Sequence, residues 1–250
     1  MKHLDFLYLD VAFELTKFPQ FGNDNVLRYL SLWIHGIEEV HADDLYPLQT
    51  LQSISMAYTP IKDSIFPLLS ILGSIENIFF SDNAQITRVI MTGNFPKLGS
   101  LTVRSSSIYE FPSLTGDFPV LAKLVLTNNK FSAVTASHLH KLTSLQYLYL
   151  SENRISRLPE LSSLLNTLVL VNLDYNPLVI INNSEMATMD GLTVSLREIP
   201  TLTYLAQTCF TKPTSLHLEG SAVDLCSCHN TWLKRSVHQG SLNLQVSDVR

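Results

Sequence analysis

The chain has 250 residues, 46% of them hydrophobic and 16% charged, with a formal net charge of −5. That balance is too apolar for a disordered chain and supports a sizeable core, while no apolar run reaches the roughly 18 residues that a membrane span requires. The acidity sits at one end. Residues 1–50 hold eight acids and three bases, and residues 51–250 hold fourteen of each, so no basic stripe marks a nucleic-acid partner.

The first ten residues, M-K-H-L-D-F-L-Y-L-D, lack the uninterrupted apolar core of a secretory signal. Within them Leu4, Leu7 and Leu9 set a spacing that returns along the whole chain. Its clearest form is L-Q-Y-L-Y-L-S-E-N-R-I-S-R-L-P at Leu145–Pro159. There Leu148 and Leu150 alternate with Tyr147 and Tyr149, as in a half-buried strand. Laid over the sequence, L-x-x-L-x-L-x-x-N-x-L-x-x-L starts at Leu4, Leu27, Leu51, Ile75, Leu98, Leu121, Leu145, Leu168, Met189 and Pro213. The offsets between starts are 23, 24, 24, 23, 23, 24, 23, 21 and 24. From the third unit on, an apolar residue also lies three positions before each start: Leu48, Leu72, Phe95, Phe118, Leu142, Leu165, Met186 and Phe210. A single stretch of this pattern arises by chance, but ten in register do not, so the chain is a repeat protein.

The repeat resembles the leucine-rich repeat family over essentially the whole chain, most specifically in units five to nine. The resemblance implies an α/β solenoid at residues 1–223, with a parallel inner β-sheet and short helical or irregular convex turns. One unit cannot bury its leucines alone, whereas stacked coils can. The Asn position is Asn in only four units, at Asn83, Asn129, Asn153 and Asn176. More irregular turns are therefore expected in units one to three, five, nine and ten. Residues 224–250 contain D-L-C-S-C-H-N-T-W-L. The spacing of Cys226, Cys228 and Trp232 is similar to the C-terminal cap of extracellular members of the family, in which each cysteine pairs with a later one. Here no later cysteine follows. An extracellular or cell-surface chain, given in incomplete form, is expected, with a cytoplasmic adaptor as the alternative.

In such a coil, the third, fifth, seventh and eighth positions face the concave side. The register places Phe6, Tyr8, Tyr29, Trp33, Ile34, Tyr58 and Phe79 there, followed by Arg104 and Lys123, and then Tyr147, Tyr149, Glu152 and Asp174. Aromatic rings on a rigid sheet suit recognition of a protein or glycan, because they bury much area at little entropic cost. The simpler reading is that strands favour aromatics. A structural, non-catalytic subunit of a secreted complex is the runner-up, as in arthropod secreted leucine-rich repeat proteins such as the non-catalytic luciferase subunit. Cys226, Cys228 and His229, with His217 or Cys209, have a zinc-like composition, but the cap accounts for the Trp spacing as well and zinc does not. His138 and His140 read as a solvated pair, and Glu38–Glu39 and Asp43–Asp44 as a solvated face. There is no G-x-S-x-G, phosphate loop or H-E-x-x-H. No enzyme activity, cofactor, metal, nucleic acid or membrane span is expected. Asn182, in Asn182-Asn183-Ser184, is a candidate glycosylation site.

Overall fold

The structure, a computed structural model, describes residues 4–10, 15–164, 166–181, 191–205, 214–224, 233, 235 and 242–245. The chain forms two compact units, Met1–Lys130 and Phe131–Arg250. Each is a parallel-stranded leucine-rich repeat stack with little helix.

In the N-terminal unit, the strands β1 (Phe6–Leu9), β2 (Tyr29–Leu32), β3 (Ser53–Ala57), β4 (Asn77–Ser81), β6 (Ser100–Arg104) and β8 (Lys123–Val125) pair in parallel in that order. The register aligns Leu7, Leu30, Ile54, Ile78, Leu101 and Leu124, one from each coil. From Leu30 onward these residues are buried, as are Leu32, Met56, Phe80, Val103 and Leu126 two positions later. Each such side chain stabilises the stack by about 1.5–3 kcal/mol through area removed from water. The row three positions before each start is buried too, at Leu48, Leu72, Phe95 and Phe118, and the Phe95 and Phe118 rings stack at 5.1 Å.

The returning segments carry the one-turn helices α1 (Ala42–Leu45) and α2 (Ile65–Leu68), a 3-10 turn at Leu69–Ile71, and a short parallel pair, β5 (Ile90–Met91) with β7 (Ser113–Leu114). This second pair, absent from the expected turns, forces the backbones close together. A Cβ on Gly116 would lie 2.1 Å from the Gly93 carbonyl oxygen and 3.0 Å from the Thr92 carbonyl carbon. Backbone cannot move aside as a flexible side chain can. Gly116→Ala is therefore expected to destabilise by about 1–3 kcal/mol in urea unfolding. Gly73→Ala, where a Cβ meets nothing within 4 Å, should change stability by no more than about 0.5 kcal/mol.

The C-terminal unit repeats the arrangement. The strands β9 (Tyr147–Tyr149), β10 (Leu170–Asn172), β12 (Thr193–Ser195), β14 (Thr214–His217) and β15 (Leu242–Gln245) pair in parallel. Around them lie α3 (Ala136–Leu139), a 3-10 turn at Ser162–Leu164, and the parallel pair β11 (Ile180–Ile181) with β13 (Tyr204–Leu205). The ladder aligns Leu148, Val171, Val194, Leu216 and Leu244. Val194, not Leu192, is thus the partner of Val171, and the ninth coil starts at Gly191, two residues after the expected Met189. The cause is that Leu192 and Val194 fit the template two residues out of step and both are buried. With the later start, Leu196 and Leu205 also find places in the core. β15 was not foreseen at all. It lies in residues expected only to form a cap, and it adds one more strand to the ladder.

The turn after the strand is more uniform than the scattered asparagines imply. At the eighth position of coils three to ten the backbone is left-handed: Tyr58, Asp82, Ser105, Asn128, Glu152, Tyr175, Glu198 and Gly220 have φ between 49° and 71°. The expected irregularity of coils three, five, nine and ten is therefore not found at this position. A shared hydrogen bond holds it. The N–H of Tyr58 donates to Ser81 O, that of Asp82 to Arg104 O, that of Tyr175 to Arg197 O and that of Glu198 to Glu219 O. In each pair the acceptor is the seventh residue of the next coil. At Asn83, Asn129 and Asn176 the side chain adds a buried ladder between coils. Asn176 Oδ1 accepts from Ile155 N–H, and its Nδ2 donates to the carbonyls of Leu150, Leu173 and Asp174. Asn83 and Asn129 bridge their preceding coils in the same way. In coil ten Ser221 takes this role, accepting from Ile199 N–H and donating to Leu196 O.

Candidate recognition face

The strand face of coils one to three gathers the N-terminal aromatics. Strand alternation sends Phe6 and Tyr8 from β1 and Tyr29 from β2 away from the core, Trp33 directly follows β2, and Tyr58 stands on the left-handed turn after β3. All five are between 38% and 56% exposed. They are not scattered. Tyr8 meets Trp33 edge to face at 5.7 Å, and Trp33 meets Tyr58 at 6.2 Å. Phe6 lies 6.3 Å from Tyr29. His35 extends the group, 6.2 Å from the Tyr58 ring with its Nδ1 3.0 Å from Tyr58 O. Two groups of touching exposed rings, Phe6–Tyr29 and Tyr8–Trp33–Tyr58, are unusual on a soluble surface, unlike single exposed apolar residues. Tyr58 also holds a left-handed backbone, which costs a non-glycine residue about 1–2 kcal/mol.

The other expected positions differ among themselves. Phe79 is half-buried because the Arg104 guanidinium lies over its ring at 5.2 Å, and Arg104 Nε donates to Ser81 Oγ at 3.2 Å. Lys123, Tyr147 and Glu152 are exposed, and Tyr149 is half-buried. Two residues do not present themselves. Ile34 is buried because coil two lacks the left-handed turn. Asp174 is only 8% exposed, and its carboxylate is committed to the fold: Oδ1 accepts from Arg197 N–H and Oδ2 from Asn172 Nδ2. Neighbouring Tyr175 is exposed in its place. Asn182, Cys209, Cys226, Cys228, His229 and Trp232 lie outside the described residues.

The remaining polar groups serve structure. Lys62 pairs with Glu39 at 3.0 Å and with Glu38 at 3.7 Å, and Asp44 accepts from His41 N–H at the start of α1 and from Gln20 Nε2. His138 Nδ1 accepts from Thr135 N–H, and burial pushes its pKa down, so it is a neutral capping residue. Ser215 Oγ lies 3.4 Å from His217 Nε2, which suggests a nucleophile and base, but the tautomer is wrong for that chemistry. Arg197 Nη2 sits 2.5 Å from His217 Nδ1. A guanidinium only donates, so Nδ1 is the acceptor and Nε2 already carries the proton. Arg197 also pairs with Glu219 at 2.9 Å. Partial burial pushes the Glu219 carboxyl up, yet its own backbone N–H and Arg197 hold it below the ordinary range on balance. Among the described residues no three His, Cys, Asp or Glu side chains are grouped to hold a metal, and no helix is long and apolar enough to cross a membrane.

Comparison with known proteins agrees with the repeat reading. Residues 119–178, from coil six into coil eight, match the leucine rich repeat family model. U2 small nuclear ribonucleoprotein A' of Arabidopsis thaliana is 30% identical over 102 residues, 39% of this chain and 41% of that protein. The chain thus spans about two fifths of the curated relative it matches. A chain from the octameric complex of Latrophilin 3, Unc5D and FLRT2, in which FLRT2 is the LRR component, superposes with a TM-score of 0.68 at 17% identity. That match covers 98% of this chain and 76% of the other. An internalin from Listeria monocytogenes gives 0.51 at 20% identity, over 91% and 55%. At these identities the structural likeness establishes the fold. Together with the ten-fold repeat and the parallel ladders, it gives this chain a leucine-rich repeat fold.

Proposed function

We propose that this chain recognises a protein segment on the strand face of coils one to three, with Phe6, Tyr8, Tyr29, Trp33 and Tyr58 as the anchoring side chains. The observation that carries this reading is the two groups of touching exposed rings, Phe6–Tyr29 and Tyr8–Trp33–Tyr58, on adjacent parallel strands. Rings fixed on a hydrogen-bonded ladder lose little freedom on binding, so most of the area they bury becomes affinity. Lys123 forms the outer, mainly orienting part of the surface, because a rim charge changes encounter rates more than affinity. The test is capture of a partner by the immobilised chain, beside the double variant Tyr29→Ala/Trp33→Ala and the control Tyr109→Ala. Tyr109 is exposed on a returning segment, beneath Arg88. The double variant should lose the partner while keeping its circular dichroism, and the control should retain it. A folded double variant that still holds the partner would refute the assignment.

A further inference from the structure

The seventh-position row of coils one to five runs across the strands as Asp10, Trp33, Ala57, Ser81 and Arg104. It begins with an acid, passes an exposed aromatic, crosses two small buried residues and ends on a base. The rest of the face has the same polarity. On coils one to four the charged side chains at strand-face positions are Asp10 and Asp82, whereas on coils five and six they are Arg104 and Lys123. Asp82 is exposed on its left-handed turn one strand beyond Tyr58, but its Oδ2 accepts from Ser81 Oγ, the hydroxyl that Arg104 Nε also meets, so Asp10 alone makes the aromatic end acidic. The face therefore has an acidic, aromatic end and a basic end.

We propose that the partner segment is itself dipolar, with a lysine or arginine over Trp33 and Tyr58 and an aspartate or glutamate against Arg104, on the side where Lys123 adds positive charge. This rests on the reading of coils one to three as a recognition face and adds the partner's charge order to it. Two observations support each end. At the aromatic end, a cation over Trp or Tyr is attracted by the ring quadrupole, and Asp10 stands one strand before Trp33 in its row. This sheet already holds one such contact, Arg104 over Phe79 at 5.2 Å. At the basic end, Arg104 uses Nε on Ser81, and its two terminal nitrogens meet no acceptor among the described residues. Its guanidinium is thus positioned by ring and hydroxyl with one edge open, the arrangement that accepts a carboxylate in two parallel hydrogen bonds. The spacing follows from the ladder. Trp33 and Arg104 lie three strands apart in register, or about 14 Å. Lys123 is opposite Ser100, one strand further and four residues back along the strand, about 23 Å from Trp33. An extended segment advances about 3.3 Å per residue, so its base and the acid that meets Arg104 should be about four to six residues apart.

The experiment is selection of displayed 12-residue random peptides on the full chain. The best binder is then synthesised and titrated against the wild type, Lys123→Glu, Arg104→Glu/Lys123→Glu and Trp33→Ala. The expected pool carries Lys or Arg separated from Asp or Glu by four to six positions. The double charge reversal should weaken the best peptide about tenfold or more, and exchanging the peptide's acid for lysine should restore the loss. Lys123→Glu alone alters only an exposed side chain, and should show a smaller loss in the same direction, which covers any unfolding of the double variant. Trp33-dependent binders with no such charge order, or with affinity indifferent to both reversals, would overturn the proposal and leave the recognition face standing. So would a neutral oligosaccharide that displaces the peptide equally from wild type and charge-reversed chains. Absence of any binder that depends on Trp33 counts against the recognition face, and the charge order fails with it.

Discussion

Asn176→Ala is expected to lower the unfolding free energy by about 3 kcal/mol, because one bond to Oδ1 and the two Nδ2 hydrogens shared among three carbonyls are lost at roughly 1 kcal/mol each, and buried partners are left unmet. Asn176 is 2% exposed, so water cannot replace it. Its bonds join two coils, to Ile155 N–H and Leu150 O in one, and to Leu173 and Asp174 carbonyls in its own. A native stability on the order of 5–15 kcal/mol loses a large fraction. The damage should be local as well as global, since each coil of a repeat stack rests on its neighbours. Amide exchange at Ile155 should accelerate beyond that of Leu30, far along the chain. Asn77→Ala, an exposed position on β4, should stay within about 0.5 kcal/mol. A loss below about 1 kcal/mol for Asn176→Ala would show that the ladder does not hold the coils together.

Trp33→Ala alone should weaken the captured partner by about 30-fold or more, the range of a binding hot spot of 2 kcal/mol and above. Trp33 is singled out by its position. It touches the rings of both Tyr8 and Tyr58, so its removal disconnects β1 from the turn after β3. Tyr29 contacts Phe6 and not this line, and Tyr29→Ala should cost less. Trp33 is well exposed, so the fold should survive the change, as near-native urea unfolding would verify. An unchanged dissociation constant in a folded Trp33→Ala chain would remove the aromatic line from the binding account.

The period and the core were legible from residues, because the packing that selects leucine at two positions of every strand selects it in each coil. Legibility failed where one residue type suits two registers. Leu192 and Val194 are both apolar and both buried, and the template alone could not choose between Met189 and Gly191. The left-handed row would have chosen: Asp82, Asn128 and Gly220 at the eighth position are types that tolerate that backbone, and counting from them places Glu198 correctly. The reading of asparagine as the controlling turn residue missed that a backbone bond to the next coil holds the same conformation without it. Asp174 was misplaced for a related reason. A strand-face position predicts direction, but a short carboxylate beside unpaired N–H groups turns back to them. The exposed rings were individually foreseeable. Their connection was not, since it depends on side-chain contacts across three strands.

The recognition account is tested most directly by oxidative footprinting of the chain alone and in complex with its captured partner, read at each aromatic residue. The account predicts protection of Tyr8, Tyr29, Trp33 and Tyr58, with Tyr46 and Tyr109, both exposed on returning segments, labelled as before. Protection of Tyr46 or Tyr109 with the first four unchanged would contradict it.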